Sequence, residues 1–210
     1  MHTPLWPPCR SSVSCREEGH LVGGSSLSQS SGTGRACANW IDSGGGNQNG
    51  RWSAEWLGAW ATAIKNGSLK NWTGIVFDVE ECSNSGLEED FADVLRAAKA
   101  AGMGTLVTTS HSAPYGCQDS NALIASFVAS SDIDILSPQL YTSGGESAPD
   151  FDAGNGVKWT DWAGAKARFV PSLTCGSLKN GGYKKTQDYF AKLNIDASGY
   201  VMWPTQGCKV

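Results

Sequence analysis

Two acidic residues at the end of one apolar segment are the clearest chemical signal in the sequence. Asp78 and Glu80 lie two positions apart in GIVFDVE (74–80), whose β-branched and aromatic residues predict a buried strand. Side chains at i and i+2 of a strand point to the same side, roughly 6 to 7 Å apart at a rise of about 3.3 Å per residue. Two carboxyl groups this close do not both ionise freely. The pKa of one should therefore rise, which leaves a proton donor near neutral pH.

The residue types alone leave other interpretations of this pair open. The two carboxyl groups could be solvated where the strand meets a loop, or they could bind a divalent cation. If they are catalytic, both lie on one side of a bound substrate, unlike the opposed acid and nucleophile of ordinary retaining glycosidases. One acid with one partner that tunes it fits this placement better. The nucleophile would then come from elsewhere, including the substrate itself.

The segments around the pair predict alternating helices and strands. Apolar residues at every fourth position from Trp52 to Ile64 predict a helix that ends at Gly67. The capping-box pattern SGLE at 85–88 predicts a second helix that runs through Ala101. Further strands are expected over 104–109, 133–141, 168–173 and 199–203, and further helices over 120–130, near 159–166 and over 184–193. The strands recur about every 30 residues, as parallel βα crossovers do.

Side-chain alternation favours a barrel over the rival architecture, a doubly wound open sheet. In 74–80 one face is wholly apolar, and the other becomes polar toward the carboxyl end. The segment 135–141 is divided in the same way, with Gln139 and Tyr141 on its polar face. Barrels carry catalytic groups at this end, and eight βα units of roughly 250 residues close one. We therefore predict an α/β fold, an incomplete (β/α)8 TIM-type barrel with about five to six βα units.

The N-terminal segment differs from the rest of the chain. Residues 1–36 contain the Ser/Gly run GGSSLSQSSGTG and show no apolar periodicity. Such a segment cannot bury enough surface to offset the entropy lost on ordering, so we predict that 1–36 are disordered or not native to the fold. Residues 37–210 are expected to form the partial barrel. Because the first barrel strands have no clear counterpart, we expect an incomplete or mis-spliced version of a longer barrel.

Composition and charge exclude several classes of function. The formal net charge of -4 argues against nucleic-acid binding, because no basic stripe exists to neutralise phosphates. No apolar run approaches about 18 residues, so we expect no membrane span. The seven scattered cysteines contain no CxxC or Cys/His cluster, which argues against a structural zinc site and leaves disulfide pairing open. We predict no cofactor and no bound metal, and the oligomeric state is open.

Four short motifs follow one another along the chain. They are DSGGGNQNGRW (42–52), GIVFDVE (74–80), SPQLYT (137–142) and VMW (201–203). Together, in their order and spacing over roughly 42–205, they resemble motifs of glycoside hydrolase family 18, the chitinases and chitinase-like proteins. The first resembles the Ser-x-Gly-Gly turn after the family's third strand.

The resemblance assigns expected roles to individual residues. GIVFDVE is similar to the fourth-strand signature DxxDxDxE, which puts Glu80 on the general acid and Asp78 on the Asp beside it. SPQLYT is similar to the sixth-strand motif in its plant-type QxY form, at Gln139 and Tyr141. Trp203 matches the eighth-strand Trp that forms the floor under the sugar at the cleavage subsite.

The resemblance implies substrate-assisted, retaining hydrolysis of β-1,4-linked N-acetylglucosamine polymers. Glu80 would protonate the leaving glycosidic oxygen, and the substrate's acetamido oxygen would attack the anomeric carbon. Asp78 would orient the acetamido group, Tyr141 would hydrogen-bond it, and Trp203 would stack on the ring. This family is an exception to the two-carboxylate scheme, in agreement with the one-sided placement of the acids.

The sequence departs from the family pattern at three positions. Thr73 and Val76 replace the first two Asp residues of the signature, and Thr142 stands where many members have Asp or Asn. In the family the second Asp shares a proton or hydrogen bond with the Asp at position 78. An apolar Val76 should instead raise the pKa of Asp78 by desolvation.

These departures leave two alternatives to an active hydrolase. The first is a non-catalytic, chitin- or carbohydrate-binding, chitinase-like protein. The second is a metal-assisted hydrolase on an open α/β sheet, with Asp78, Glu80 and His111 as ligands.

The expected partner is an oligo- or polysaccharide. Tyr115 is a further candidate for the sugar cleft, because aromatic faces stack on sugar rings. The resemblance and the sequons at Asn66 and Asn71 favour an extracellular location. The N-terminus, MHTPLWPPCRSSVSC, lacks the continuous apolar core of a signal peptide.

Overall fold

The computed structural model of the chain describes residues 14–16, 40–46 and 50–203. The strands are β1 Ser14–Arg16, β2 Trp40–Gly44, β3 Gly74–Val79, β4 Gly104–Ser110, β5 Ile135–Gln139, β6 Arg168–Phe169, β7 Ser172–Thr174 and β8 Tyr200–Trp203. The helices are α1 Ala54–Lys65, α2 Glu88–Ala100, α3 Ser120–Ala129, α4 Cys175–Lys179 and α5 Gly182–Ala191, with a 3₁₀ turn at Trp159–Trp162.

The strands form one curled sheet, a half-barrel. Their order is β1-β8-β7-β5-β4-β3-β2, and β6 pairs with β5 outside this path. Every pairing is parallel except that of β1 with β8, which is antiparallel. The prediction of an α/β fold with a partial barrel is confirmed at this level.

Each strand divides its side chains between an outer and an inner surface, as the alternation predicts. On β3, Ile75 and Phe77 join the main core, which also contains the buried faces of α1 and α2. Val76 points the other way, into a small inner cluster with Leu106, Ile135, Val170 and Val201. The helices therefore pack on the outer surface, and the polar positions of β3 and β5 face inward.

Trp40 covers the amino-terminal end of the inner surface. Its indole lies across the first residues of β3 and β4, where a Cβ on Gly74 would come within 2.2 Å of the ring and one on Gly104 within 2.5 Å. The ring also packs against the inner apolar cluster. The two glycines make room for the indole, and a side chain at either position would displace it.

Some predicted boundaries were wrong. Trp52 precedes α1, which begins after Ser53, whose hydroxyl oxygen accepts a hydrogen bond from the Trp56 N–H. The SGLE pattern forms no capping box: Leu87 is the N-cap of α2, and no side chain caps the helix. The expected strand 168–173 is split into β6 and β7, because Pro171 between them lacks an N–H to donate. The helix α4 was not predicted.

The expectation for residues 1–36 falls mostly outside the described residues. Of this segment the structure describes only Ser14–Arg16, which pair with Tyr200–Met202 at the edge of the sheet. The rest of the prediction for 1–36 stays a prediction. Across the described parts of the chain, the helices are too short or too polar to cross a membrane.

Candidate active site

The acidic pair lies at the carboxyl end of β3 and is bridged by one amide. Gln139, at the end of β5, donates hydrogen bonds from Nε2 to Asp78 Oδ1 and to Glu80 Oε1, each 3.0 Å long. Asp78 and Gln139 are buried, and Glu80 is half-buried. A side-chain amide has two N–H donors, so both are used on the acidic pair. The structure therefore brings together three of the residues expected in the site.

Asp78 is held in an environment that favours its neutral form. Burial is the largest cause that raises the pKa of Asp78 well above its ordinary value, followed by the charges of Glu80 and Asp42. A hydrogen bond with the Glu80 side chain raises it further, and the one from Gln139 acts in the opposite direction. A hydrogen bond between two carboxyl groups requires a proton on one of them. Asp78 is therefore the member of the pair that holds a proton more tightly than an ordinary Asp side chain.

Asp42 is a third carboxyl group that the sequence analysis did not single out. It lies on β2 in register with Val76, and its charge acts on Asp78. Trp40, two residues earlier on β2, packs on the inner surface, so alternation turns Asp42 inward as well. The alternation within WIDSG predicts that Trp40 and Asp42 share a face, but the sequence does not show which strand lies beside this segment.

A glycine turn after β2 closes tightly on the acidic pair. Gly44 has a φ of +105°, and a Cβ there would lie 2.1 Å from the carbonyl oxygen of Asp78. That carbonyl accepts hydrogen bonds from Gly45 N at 2.9 Å and from Trp52 Nε1 at 2.8 Å. A Cβ on Gly46 would meet Glu80 Oε2 at 2.4 Å. Only glycine lets the backbone approach the acid this closely.

Tyr115 stands at the rim beside Glu80 and is 53% exposed. Its hydroxyl donates a 2.8 Å hydrogen bond to Glu81 Oε1, and Glu81 Oε2 accepts one of 2.6 Å from Arg51 Nε. Burial of the hydroxyl, then the bond to Glu81, raises the pKa of Tyr115 to about 12. The hydrogen bond from Arg51, then that from Tyr115, lowers the pKa of Glu81. At neutral pH Tyr115 is therefore a neutral donor and Glu81 a carboxylate.

A disulfide ties the rim loops of β3 and β4 together. Cys82 and Cys117 are bonded, and Cys175 is also in a disulfide, which answers part of the pairing left open by the sequence. Gly116 N donates a 2.8 Å hydrogen bond to the carbonyl of Glu80, and Cys82 N donates one of 3.1 Å to the carbonyl of Gly116. The backbone of Glu80 is therefore fixed from the neighbouring loop.

The two aromatic residues expected to contact the sugar, Tyr141 by a hydrogen bond and Trp203 by stacking, lie next to each other. The ring centroids of Tyr141 and Trp203 are 6.2 Å apart, with 33° between the planes. Tyr141 is buried, and its hydroxyl lies 3.3 Å from Ser172 Oγ. Burial is the main cause that raises the pKa of Tyr141, and the charges of Asp78 and Glu80 contribute. Trp203 is 37% exposed and borders the same inner surface.

Glu146 adds an ionised carboxylate beyond Tyr141, which the sequence analysis missed. Its Oε1 accepts hydrogen bonds from the backbone N–H groups of Thr142 at 2.9 Å and Ser143 at 2.6 Å. Although partial burial opposes it, these hydrogen bonds lower the pKa of Glu146 to about 2. Its charge acts on Tyr141.

His111 pairs with Asp150. Its Nε2 lies 3.1 Å from Asp150 Oδ2, and its backbone has a φ of 53°. Within residues 14–16, 40–46 and 50–203, no group of three or more His, Cys, Asp or Glu side chains could hold a metal ion. The ligand set of the metal-assisted alternative, with His111 beside Asp78 and Glu80, is not brought together.

Neither a protein-family model nor a curated protein matches this chain. The chemistry available to the site therefore follows from its geometry. Two adjacent carboxyl groups, of which buried Asp78 favours its protonated form, can exchange a proton with a bound molecule. The Gln139 amide and the rings of Tyr141 and Trp203 can position a bound molecule that is polar and contains a ring.

Proposed function

We propose that the protein is a glycoside hydrolase of the family 18 type, built on an incomplete TIM-type barrel. Its substrate is a β-1,4-linked N-acetylglucosamine polymer, which it cleaves with retention and with help from the substrate's acetamido group. The observation that carries the proposal is that Asp78 and Glu80, at the carboxyl end of parallel strands, are both hydrogen-bonded by the Gln139 amide.

The placement of Asp78 and Glu80 on the same side of a bound sugar supports a substrate-assisted reaction. Glu80 would give its proton to the glycosidic oxygen as the bond from that oxygen to the anomeric carbon breaks. The acetamido oxygen would form the new bond to that carbon from the other side, which gives an oxazolinium-like intermediate. Water would then add to the anomeric carbon and return a proton to Glu80. Because both carboxyl groups lie on one side of the sugar, neither is placed to attack from the opposite side, and the substrate would supply the nucleophile.

The neighbours of the pair have matching roles. Asp78, which favours its protonated form, would hold the acetamido group while Glu80 acts. Tyr141 would hydrogen-bond the same group through a hydroxyl that stays neutral. Trp203 would stack under the pyranose, and Tyr115 would contact the chain at the rim.

The disulfides support a protein that works outside the reducing cytosol. Cys82 and Cys117 are paired and Cys175 is disulfide-bonded. Such bonds form and persist in oxidising compartments. An extracellular location is therefore part of the proposal.

One observation favours a second candidate, a carbohydrate-binding protein without turnover. The glycine turn and Tyr115 crowd the acid: a Cβ on Gly46 would lie 2.4 Å from Glu80 Oε2 and 2.5 Å from the Tyr115 hydroxyl. An acid covered in this way would have to be uncovered before it could reach a glycosidic oxygen. A protein that retains only the aromatic surface would bind the polymer and leave it intact.

Hydrolysis of a chromogenic N-acetylglucosamine oligomer separates these candidates. Wild type should release the chromophore, and Glu80→Gln should lose roughly 10²–10⁴-fold in kcat while it still binds chitin beads. Glu55→Gln, the same change on the exposed side of α1, should retain full activity.

Two further outcomes would overturn hydrolysis by this mechanism. Retention on chitin beads without product from wild type would establish the binding protein. Loss of activity in EDTA would indicate the metal-assisted alternative.

A further inference from the structure

The inner surface carries a second acidic position next to the pair, on the neighbouring strand. β2 and β3 are parallel, with Asp42 level with Val76 and Gly44 level with Asp78. Asp42 and Asp78 both face inward, since Trp40 and Val76, two residues earlier on each strand, pack in the inner cluster. The two carboxyl groups are therefore diagonal neighbours on one face of adjacent strands, within reach of each other.

The strand neighbours level with Asp42 are apolar. The level it occupies is apolar, with Val76, Leu106 and Ile135 buried beside it on successive strands. One carboxylate oxygen of Asp42 is inaccessible to solvent. Charges separated by such a medium interact more strongly than charges in water.

The groups that face Asp78 come from four elements. Asp42 faces it from β2 and Glu80 from its own strand, and both act on it as negative charges. Gln139 donates to it from β5 and is neutral. The hydroxyls of Tyr115, in the loop after β4, and Tyr141, after β5, lie within electrostatic range and stay neutral at ordinary pH. Asp42 is thus a negative charge that acts on Asp78 from outside the GIVFDVE segment.

We propose that Asp42 is a positioning residue of this site, whose carboxylate faces Asp78 across the β2–β3 pair and keeps Asp78 protonated. Its catalytic consequence rests on the proposed function: a protonated Asp78 can hold the acetamido group while Glu80 gives up its proton. Val76 leaves its own position without a carboxyl group, and Asp42, in register with it, supplies one from the next strand.

A carbon-13 NMR titration of the side-chain carboxyl groups tests the proposal without activity. The Asp78 midpoint should lie well above 4 in wild type and fall by at least half a pH unit in Asp42→Asn. Asp93→Asn, the same change in an exposed ion pair on α2, should leave it in place. In Asp42→Asn/Val76→Asp the carboxylate moves one strand over, and the midpoint should return toward wild type. If Asp42→Asn does not fold, Asp42→Ser provides the same comparison.

The outcomes separate this proposal from the proposed function. An unchanged Asp78 midpoint in folded Asp42→Asn overturns the role of Asp42, whether or not wild type hydrolyses the oligomer. A shifted midpoint in a protein without turnover supports Asp42 and overturns the hydrolase. If wild type is active, the alkaline limb of its kcat/KM profile should move to lower pH in Asp42→Asn, together with the midpoint. If the alkaline limb of the profile stays in place, the proposed catalytic consequence of Asp42 is overturned.

Discussion

Gln139 reaches across a whole strand to Asp78, with 3.0 Å between Gln139 Nε2 and Asp78 Oδ1 although β4 lies between β5 and β3. Neighbouring strands are about 4.8 Å apart, so β3 and β5 would be about 10 Å apart in a flat sheet. The curl of the half-barrel shortens that gap for inward-facing side chains, and the long amide spans the rest. Sheet curvature therefore assembles the site.

Replacement of Gln139 should remove the hydrogen bonds that link Asp78 to Glu80 and should lower activity. Gln139→Leu introduces an apolar side chain of similar size and removes both N–H donors. The pKa of Asp78 should rise further, because the lost hydrogen bond lowers it. We expect kcat on the chromogenic oligomer to fall at least about 10-fold, since each hydrogen bond to a charged group contributes about 1.5–3 kcal/mol. Gln187→Leu, on α5, is the matched control and should be fully active, and equal activity of both variants would contradict the role of Gln139.

Asp78 should make stability depend on pH in a defined direction. Its folded-state pKa lies above the ordinary 3.8, so the folded protein binds the proton more tightly than the unfolded chain. The stability contributed by that proton is complete below about pH 4 and is lost as pH rises through the raised pKa. Asp78→Asn lacks the titrating carboxyl group and does not lose this stability. The free energy of unfolding of the variant minus that of wild type should therefore increase with pH, by at most about 1.4 kcal/mol per pH unit. Urea unfolding between pH 4 and 8 measures it, and a constant difference would refute the raised pKa.

The disulfide between Cys82 and Cys117 should stabilise the rim as well as the fold. It closes a loop with a sequence separation of 35, and a cross-link of this kind contributes about 2–4 kcal/mol. Cys82→Ser/Cys117→Ser should therefore unfold at lower denaturant concentration, and kcat should fall because the loop that fixes Glu80 is released. Unfolding of both proteins with and without reductant is the measurement. An unchanged midpoint in the double variant would show that the bond adds nothing to stability.

Gly104 should be intolerant of a side chain because of Trp40. A Cβ on Gly104 would lie 2.5 Å from the indole, so Gly104→Ala should displace the ring and destabilise the protein by about 1–3 kcal/mol. The matched control is Gly58→Ala in α1, where a Cβ would meet nothing within 4 Å. That change should stabilise the protein by about 0.5–1 kcal/mol, because alanine favours the helix. Thermal unfolding should show a lower midpoint for Gly104→Ala and a higher midpoint for Gly58→Ala. Midpoint changes of the same sign in both variants would contradict this packing.

Features set within a single segment were predictable. The sequence alone assigns Ile75 and Phe77 to one face of a strand and Val76 and Asp78 to the other, and the structure confirms this division. Alternation is a property of the extended backbone and needs no knowledge of neighbours. Local signals failed where a tertiary contact competed with them. Trp52, for example, leaves the predicted helix and donates to the carbonyl of Asp78.

The sequence by itself therefore determined the alternating helices and strands, the inward face of each strand and the acidic pair of Asp78 and Glu80. Only the tertiary structure decided that Asp42 faces Asp78, that Gln139 binds both acids and that Cys82 pairs with Cys117. The physical reason is that strand register and sheet curvature arise from packing between distant segments. A local pattern of residues carries no information about which segment will lie beside it.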